Sequence, residues 1–409
     1  YAKEYDAAKE WIKEYYMLET SVSKNSTKVL PVSISYLPIH PNENIIAKTA
    51  RQLVGDMAPR IMEEIKIEGE LLLHSKIVIR IGKPIDVLDY MKGTDEKEIL
   101  SCGRKELTYE AMHRVYENIT FGLDHLFAFV LERFPKEKIA TKHLKALLFT
   151  MLDTLWHESP YYLDATSYDD RLALIADDVF EPYEKAMALA REQEVVHENG
   201  GVIFFDRKRF HTVQDFHQIR LSNTFKVLAN EMKLYPKLHQ LFLPLFDIEP
   251  HRLYTRLFET LSQDELNIYH DERALWREAE ELKQEELGRP YFLDGCEGEV
   301  CQDNIGVILS HGFGSSPAEV RELAHFLKDH GIHVYALRLA GHGSAPEALR
   351  DTQHTDWIQS FEKAYALMQM RCSKVFLAGF STGGLLALLS ASKTLAKGKI
   401  AGVICINAA

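Results

Sequence analysis

The pattern of apolar and polar positions changes character twice along the chain, giving three zones. Up to about residue 100 it mixes two periods. "KVLPVSISY" (Lys28–Tyr36) and "KIVIRIGKPI" (Lys76–Ile85) are rich in β-branched residues. Such residues fit a pleated, half-buried surface, so both runs predict strands. Asn44 to Leu73, between them, reads as helix broken near Pro59. Strand, helix, strand predicts an α/β unit. From about 105 to 290 the period is mostly helical. Val115, Ile119, Gly122, Leu126 and Phe129 fall on one face and predict a single helix that Pro135 ends. "EVVHENGGVIFFD" interrupts this zone. Asn199-Gly200 between two apolar runs predicts a hairpin near residues 194–206. "TVQDFHQIRLSNTFKVLANEM" then predicts one long helix. "DERALWREAEELKQEELGRP" predicts a solvated acidic helix leading into a linker.

From Tyr291 onward, short buried runs alternate with helical patterns. "GVILSHG", "IHVYALR", "KVFLAGF" and "IAGVICINA" read as strands. Ser316-Pro317-Ala318-Glu319 has the form of a helix start, with serine at the cap, proline in the first turn and glutamate three residues on. Thr355 is placed to cap a helix whose buried face carries Ile358, Phe361, Tyr365 and Met368. This alternation predicts a parallel sheet covered by helices, with right-handed crossovers. The fold class is therefore α/β with a helical middle. The expected divisions are 1–104, an α/β unit; 105–290, a mostly helical domain; and 291–409, a parallel-sheet domain.

Composition narrows the function. The chain has 409 residues, too many for one typical domain. A net charge of -12 gives no whole-molecule basic footprint, so no nucleic-acid partner is expected. The five cysteines are odd in number and scattered, which predicts reduced thiols in a cytoplasmic protein. Cys296 and Cys301 lie close in sequence, but no second Cys/His pair has zinc spacing, so no metal is expected. No cofactor is called for either. No apolar run reaches the ~18 residues of a membrane span, and no leader pattern is visible. The chain starts at Tyr1 in a pattern already helical. "FGLDHLFAFVLERF" could lie on a membrane surface as a peripheral contact; without a basic stripe, core burial is favoured.

The chemistry centres on "GFSTG". A lone G-x-S-x-G is weak, but here it sits between a strand pattern and a small-residue helix. A tight turn there needs Gly379 and Gly383, because side chains would clash with the neighbouring strand and helix. It forces Ser381 into a strained conformation and lifts its hydroxyl to the carboxyl edge of the sheet. The Thr382 N–H falls at a helix N-terminus, where it can hold an oxyanion. "SHGFGSS" supplies a second donor, the Phe313 N–H, from the loop after an earlier strand. With "GHG" at Gly341–Gly343 followed by "SAPEAL", this zone resembles the α/β-hydrolase family, particularly its esterase and monoacylglycerol-lipase-like members. The resemblance implies Ser381 as nucleophile, and implies an acid and a base that follow it in chain order. After Ser381 the sequence has no histidine, aspartate or glutamate. The triad Asp and His are thus not in this chain, and the residues present correspond to the first half of such a domain. His311 and His342, which precede the serine, are expected to shape loops. The strand at Ile400–Ile406 would be left as an apolar edge, which suggests a natural protein continuing past Ala409 and little turnover by this part alone.

Pro31–Ile34 and Arg80–Ile85 resemble the two late strands of the lysophosphatidate and glycerol-3-phosphate acyltransferase family. That family's His-x4-Asp pair and Glu-Gly-Thr-Arg-like motif are absent, so no site residue carries over. Together the resemblances imply a fragment of a bifunctional glycerolipid enzyme, an acyltransferase-like remnant followed by a serine hydrolase. They imply an acyl ester or glycerolipid as substrate and acyl-CoA or acyl carrier protein as acyl donor. The alternatives are a carboxylesterase or lipase with a regulatory helical domain, and a non-catalytic scaffold with a degenerate hydrolase fold.

Overall fold

The structure, a computed structural model, describes residues 27–37, 60–62, 64, 76–90, 103–158, 161–176, 178–212, 216–296, 304–394 and 400–408. They fall into two compact units. The first holds residues up to Tyr36 together with Lys76–Thr120; the second holds the remainder.

In the first unit both predicted strand runs form strands, each broken once. The Leu30-Pro31 step separates β1 (Lys28–Val29) from β2 (Val32–Leu37). Gly82-Lys83-Pro84 separates β3 (Lys76–Ile81) from β4 (Ile85–Asp86). A proline has no N–H for a ladder, so the chain steps aside at each. β1 pairs antiparallel with β4, Val29 opposite Ile85, and β2 neighbours β3. The Gly82 N–H donates to the Pro31 carbonyl at 2.9 Å, which ties the two breaks together. Of the helix expected over 44–73, the described residues 60–62 and 64 are helical; the rest lies outside the described residues. Helix α1 (Arg104–Glu117) completes this unit.

The single helix expected across Val115 to Phe134 is two. α1 stops at Asn118, and α2 (Leu123–Arg133) starts after Gly122, whose backbone is extended. His125 Nδ1 accepts the Gly122 N–H at 3.2 Å, so the restart has its own cap. The apolar face of α2 is core: Leu126 and Phe127 are fully buried, which removes the membrane-surface reading of this stretch. No helix among the described residues is long and apolar enough to cross a membrane.

After α4 (Glu181–Glu192) a hairpin forms within the expected stretch, with its turn one residue later than Asn199-Gly200. β6 (Val196–Asn199) pairs with β7 (Val202–Phe205), and β5 (Lys138–Ala140), just before α3 (Thr141–His157), extends the sheet. Its turn is Gly200-Gly201, both with positive φ, as a two-residue hairpin loop requires. The long helix expected over 212–232 is divided instead. α5 (Phe216–Ser222) ends and α6 (Thr224–Met232) begins at Asn223, whose side chain accepts the Lys226 N–H. An asparagine competes with the helix for its own amides, and here that competition wins. The acidic helix also ends earlier than its pattern suggests: α7 (Pro250–Leu275) stops before Trp276.

The carboxyl-terminal strands form one five-stranded sheet. β8 (Tyr291–Leu293), β9 (Ile305–Ser310), β10 (His333–Leu337), β11 (Lys374–Phe380) and β12 (Ile400–Ile406) lie in the order β8-β10-β9-β11-β12. β8 is antiparallel to β10, and every other pair is parallel. α8 (Arg321–Asp329), α9 (His354–Arg371) and α10 (Thr382–Thr394) supply the crossovers. The alternation of a strand's side chains sorts the core. Ile308, Tyr335, Leu337 and Leu377 face one side; Val307, Leu309, Val334, Ala336 and Ala378 face the other. The first set belongs to the same continuous core as Phe127, Leu147, Phe225 and Leu253 of the helical region. Packing therefore runs straight across the division expected at residue 290.

Three local expectations shift. Ser316 makes no side-chain cap; a short 3-10 turn, Pro317–Val320, precedes α8. α9 starts one residue before Thr355, with Asp356 accepting the Gln353 N–H at 2.8 Å. Cys296 is disulfide-bonded, against the expectation of reduced thiols, whereas Cys372 and Cys405 are free. β12 is last in the sheet order, and Ile404 on it is 45% exposed, as an edge strand's outer face would be.

Candidate active site

Ser381 is the single residue between β11 and α10. Its φ is +51°, a left-handed value that a side chain makes costly, by about 1 kcal/mol. One residue thus reverses the chain from strand to helix. A Cβ on Gly379 would lie 2.2 Å from the Gly383 carbonyl carbon, and one on Gly383 would lie 2.5 Å from the His311 oxygen. Both glycines are required by contact. The Ser381 N–H donates to the Ile406 oxygen at 2.9 Å, and its carbonyl accepts from Gly384 and Leu385. Thr382 is accordingly the first residue of α10, where the amides have no partner within the helix.

The loop after β9 comes to the same point. A Cβ on Gly312 would sit 3.5 Å from the Ser381 Cβ. The sheet enforces this closeness, since Ser310 is paired with Gly379. The Gly312 N–H donates to Glu319 Oε2 at 2.8 Å, which fixes the loop immediately before Phe313. Phe313 itself is 64% exposed, its ring edge-on to His342 and Trp357.

The two histidines are occupied in holding loops. His311 is fully buried. Its Nε2 accepts the Leu339 N–H at 3.3 Å, leaving Nδ1–H to donate to the Gly312 oxygen at 2.9 Å. Burial pushes its pKa down to about 3, so it stays neutral. His342 is lowered too, mainly by burial, and its Nδ1 lies 3.1 Å from the Ala340 oxygen. Among the described residues, no base is hydrogen-bonded to the Ser381 hydroxyl.

Glu272 and Lys283, which shape this site, lie in the stretch expected to be a solvated helix and linker, and Tyr269 lies just before it. Tyr269, fully buried on α7, donates its hydroxyl to the Gly343 oxygen at 3.2 Å. Glu272 accepts from Arg338 Nη1 at 2.9 Å and from Ser344 Oγ at 2.6 Å. Arg338 also donates to the His342 oxygen at 3.0 Å. Lys283 Nζ reaches the Gly314 and Ser315 oxygens at 3.1 and 3.3 Å. The "GHG" loop and the loop carrying Phe313 are thus clamped from the helical region. The one local hint was a tyrosine at the head of an acidic run. One group of metal-type ligands exists among the described residues, Asp294, Cys296 and His333. His333 is the first residue of β10, at the opposite end of the sheet from Ser381.

Residues 304–409 match the family described as Hydrolase_4, serine aminopeptidase, S33. The chain is 38% identical over 105 residues to a thermostable monoacylglycerol lipase of Bacillus sp. (strain H-257), covering 26% of this chain and 41% of that protein. It is 32% identical over 83 residues to a carboxylesterase of Bacillus subtilis (strain 168), covering 20% of this chain and 34% of that one. A solved structure of a pair described as "LipS and LipT, two metagenome-derived lipolytic enzymes" is 33% identical, over 29% of this chain and 45% of that chain, with a TM-score of 0.27. The chain therefore spans less than half the length of each of these relatives. The family match covers the strand–serine–helix turn, and the described residues of 304–409 have an α/β-hydrolase-like fold.

Proposed function

We propose that this segment is the nucleophile half of a serine ester hydrolase acting on acyl esters. Ser381 Oγ would attack the acyl carbonyl, and the Thr382 and Phe313 amides would hold the oxyanion. The observation that carries this reading is the positive φ of Ser381 at a one-residue strand-to-helix turn, with Gly312 packed against it. A strained backbone at a point that raises a hydroxyl is what such chemistry uses. The likeness to a monoacylglycerol lipase and a carboxylesterase supports an acyl ester, a glycerolipid among the candidates, as substrate.

Residues 382–409 contain no His, Asp or Glu, and His311 and His342 are committed to loops. With no base hydrogen-bonded to the Ser381 hydroxyl among the described residues, residues 1–409 by themselves would turn over little ester. A fluorophosphonate probe tests this. The protein as expressed from its gene should label strongly, and Ser381→Ala should abolish labelling. Absence of labelling in that protein would favour the scaffold reading, in which the fold binds without cleaving.

A second reading concerns the first unit. The resemblance of Pro31–Ile34 and Arg80–Ile85 to the late strands of acyltransferases is what suggests an acyltransferase-like remnant, and the pairing of Val29 with Ile85 is compatible with it. An acyl-CoA or acyl carrier protein donor and a glycerol phosphate acceptor follow from that reading. Incorporation of labelled acyl chain into glycerol 3-phosphate by the gene product would support it, and no incorporation would remove it.

A further inference from the structure

The Gly312 N–H is held by a charged acceptor where a neutral one would serve. Glu319 is half-buried in the short turn Pro317–Val320, and its own N–H donates to the Ser316 oxygen at 3.0 Å. From there its carboxylate reaches back to the loop after β9, where Oε2 accepts the Gly312 N–H at 2.8 Å. The same oxygen borders the space beside the nucleophile. A Cβ on Gly312 would lie 3.6 Å from Glu319 Oε2 and 3.5 Å from the Ser381 Cβ, so a group seated there touches both. An amide or hydroxyl oxygen would accept the Gly312 N–H equally well, so the hydrogen bond alone does not call for a charge. An oxyanion formed at Ser381 would be a second negative charge close by, which the carboxylate disfavours unless a cation lies near. The fold supplies none: among the described residues Glu319 has no ion-pair partner. The cations that reach this loop and turn are committed to carbonyl oxygens, Lys283 to those of Gly314 and Ser315 and Arg321 to that of Glu286. Aromatic rings stand next to the gap. Phe313 follows Gly312 directly and is 64% exposed, with the Trp357 ring 5.9 Å away. A carboxylate without a counter-ion beside exposed aromatic surface is a setting that recognises an ammonium group.

We propose that Glu319 is a specificity-determining residue, selecting esters that carry a positively charged ammonium group near the scissile carbonyl and turning away anionic ones. The inference rests on the reading of Ser381 as nucleophile. When the acyl carbonyl sits against Ser381, an ammonium group a few bonds away reaches the Glu319 carboxylate and neutralises it. The forming oxyanion, held by the Phe313 and Thr382 amides, then no longer faces an unpaired negative charge. The gain is largest in the transition state, because the charge on oxygen develops there. A neutral ester leaves the repulsion in place, and an anionic ester adds to it. Glu319 makes and breaks no bond; it acts on the charge of the substrate group that meets it.

The test uses three fluorophosphonates of matched size whose side groups end in trimethylammonium, tert-butyl or carboxylate, the second being the uncharged copy of the first. Labelling rates are measured on the protein as expressed from its gene, with the labelled peptide identified by mass spectrometry. The trimethylammonium probe is expected to label Ser381 about ten-fold faster than the tert-butyl probe, and the carboxylate probe about ten-fold slower, with both ratios shrinking as salt is added. Glu319→Gln keeps an oxygen for the Gly312 N–H and removes the charge, so both ratios should fall to within about two-fold of unity. Each ratio is taken within one variant, so a shift of the loop that slows all three probes alike cancels. Equal rates for the three probes in the unaltered protein overturn this inference and leave Ser381 as nucleophile. So do ratios that persist in Glu319→Gln, the result expected of a residue that only holds the loop. No labelling by any probe overturns the reading of Ser381, and this inference with it.

Discussion

Two pieces of backbone meet at Ser381, and they are held in opposite ways. The turn itself is made locally. Three glycines, a strand before it and a helix after it are consecutive in sequence, and the tight contacts of Gly379 and Gly383 define it. The loops around it are made at a distance. The segments 311–315 and 338–344 are pinned by Tyr269, Glu272 and Lys283, which lie tens of residues upstream. A single strained residue can be enforced by steric exclusion, because no other path fits. A loop presenting its amides has many paths, and only partners from another element select one. The helical region is thus part of the scaffold for the hydrolase-like segment and shares its core.

Substitutions can break either side of this contrast. Gly383→Ala should have the largest effect, because its Cβ would sit 2.5 Å from a backbone oxygen that cannot withdraw. A loss of more than ~3 kcal/mol in urea unfolding, or no soluble protein, is expected. A loss under about 1 kcal/mol would show that the turn is not sterically fixed. Glu272→Ala comes next. It leaves Arg338, whose side chain is 5% exposed, without its carboxylate. The expected loss is about 2–3 kcal/mol, less than for a fully buried pair because the Glu272 side chain is 21% exposed. Faster hydrogen exchange should appear at Gly341 to Ser344 and leave the turn at Ser381 protected; equal exposure of both would erase the distinction drawn here. Ser381→Gly is the smallest. Glycine accepts a φ of +51° without strain, so thermal unfolding should show a gain of about 0.5–1 kcal/mol even as probe labelling is lost. Destabilisation instead would mean that the serine side chain holds the turn.

Much of the fold was readable because it depends on short-range rules. The strands of the sheet followed from runs such as "VYALR" and "KVFLAGF", and the hairpin from Asn199-Gly200, though its turn closes one residue later at Gly200-Gly201. Errors occurred where two local rules competed. A continuous apolar face from Val115 to Phe129 gave no sign that the chain would leave the helix at Asn118. The pattern of 212–232 likewise hid Asn223, whose side chain caps a new helix and donates to the Phe210 oxygen at 2.9 Å. Periodicity reports which face is buried and says little about whether the backbone between is unbroken.

At the candidate site, the identity of Ser381 and its flanking glycines belonged to the sequence alone. A strand, a G-x-S-x-G and a small-residue helix leave the backbone one tight way to turn, so neighbours along the chain suffice. The partners of that serine did not. The packing of Gly312 against Ser381, the neutrality of His311, the clamp from α7 and the approach of His333 to Cys296 all join residues far apart in sequence. Parallel strands are connected only through crossovers, so which loops share an edge of the sheet is settled when the strands choose their order, and by the helices that pack over them.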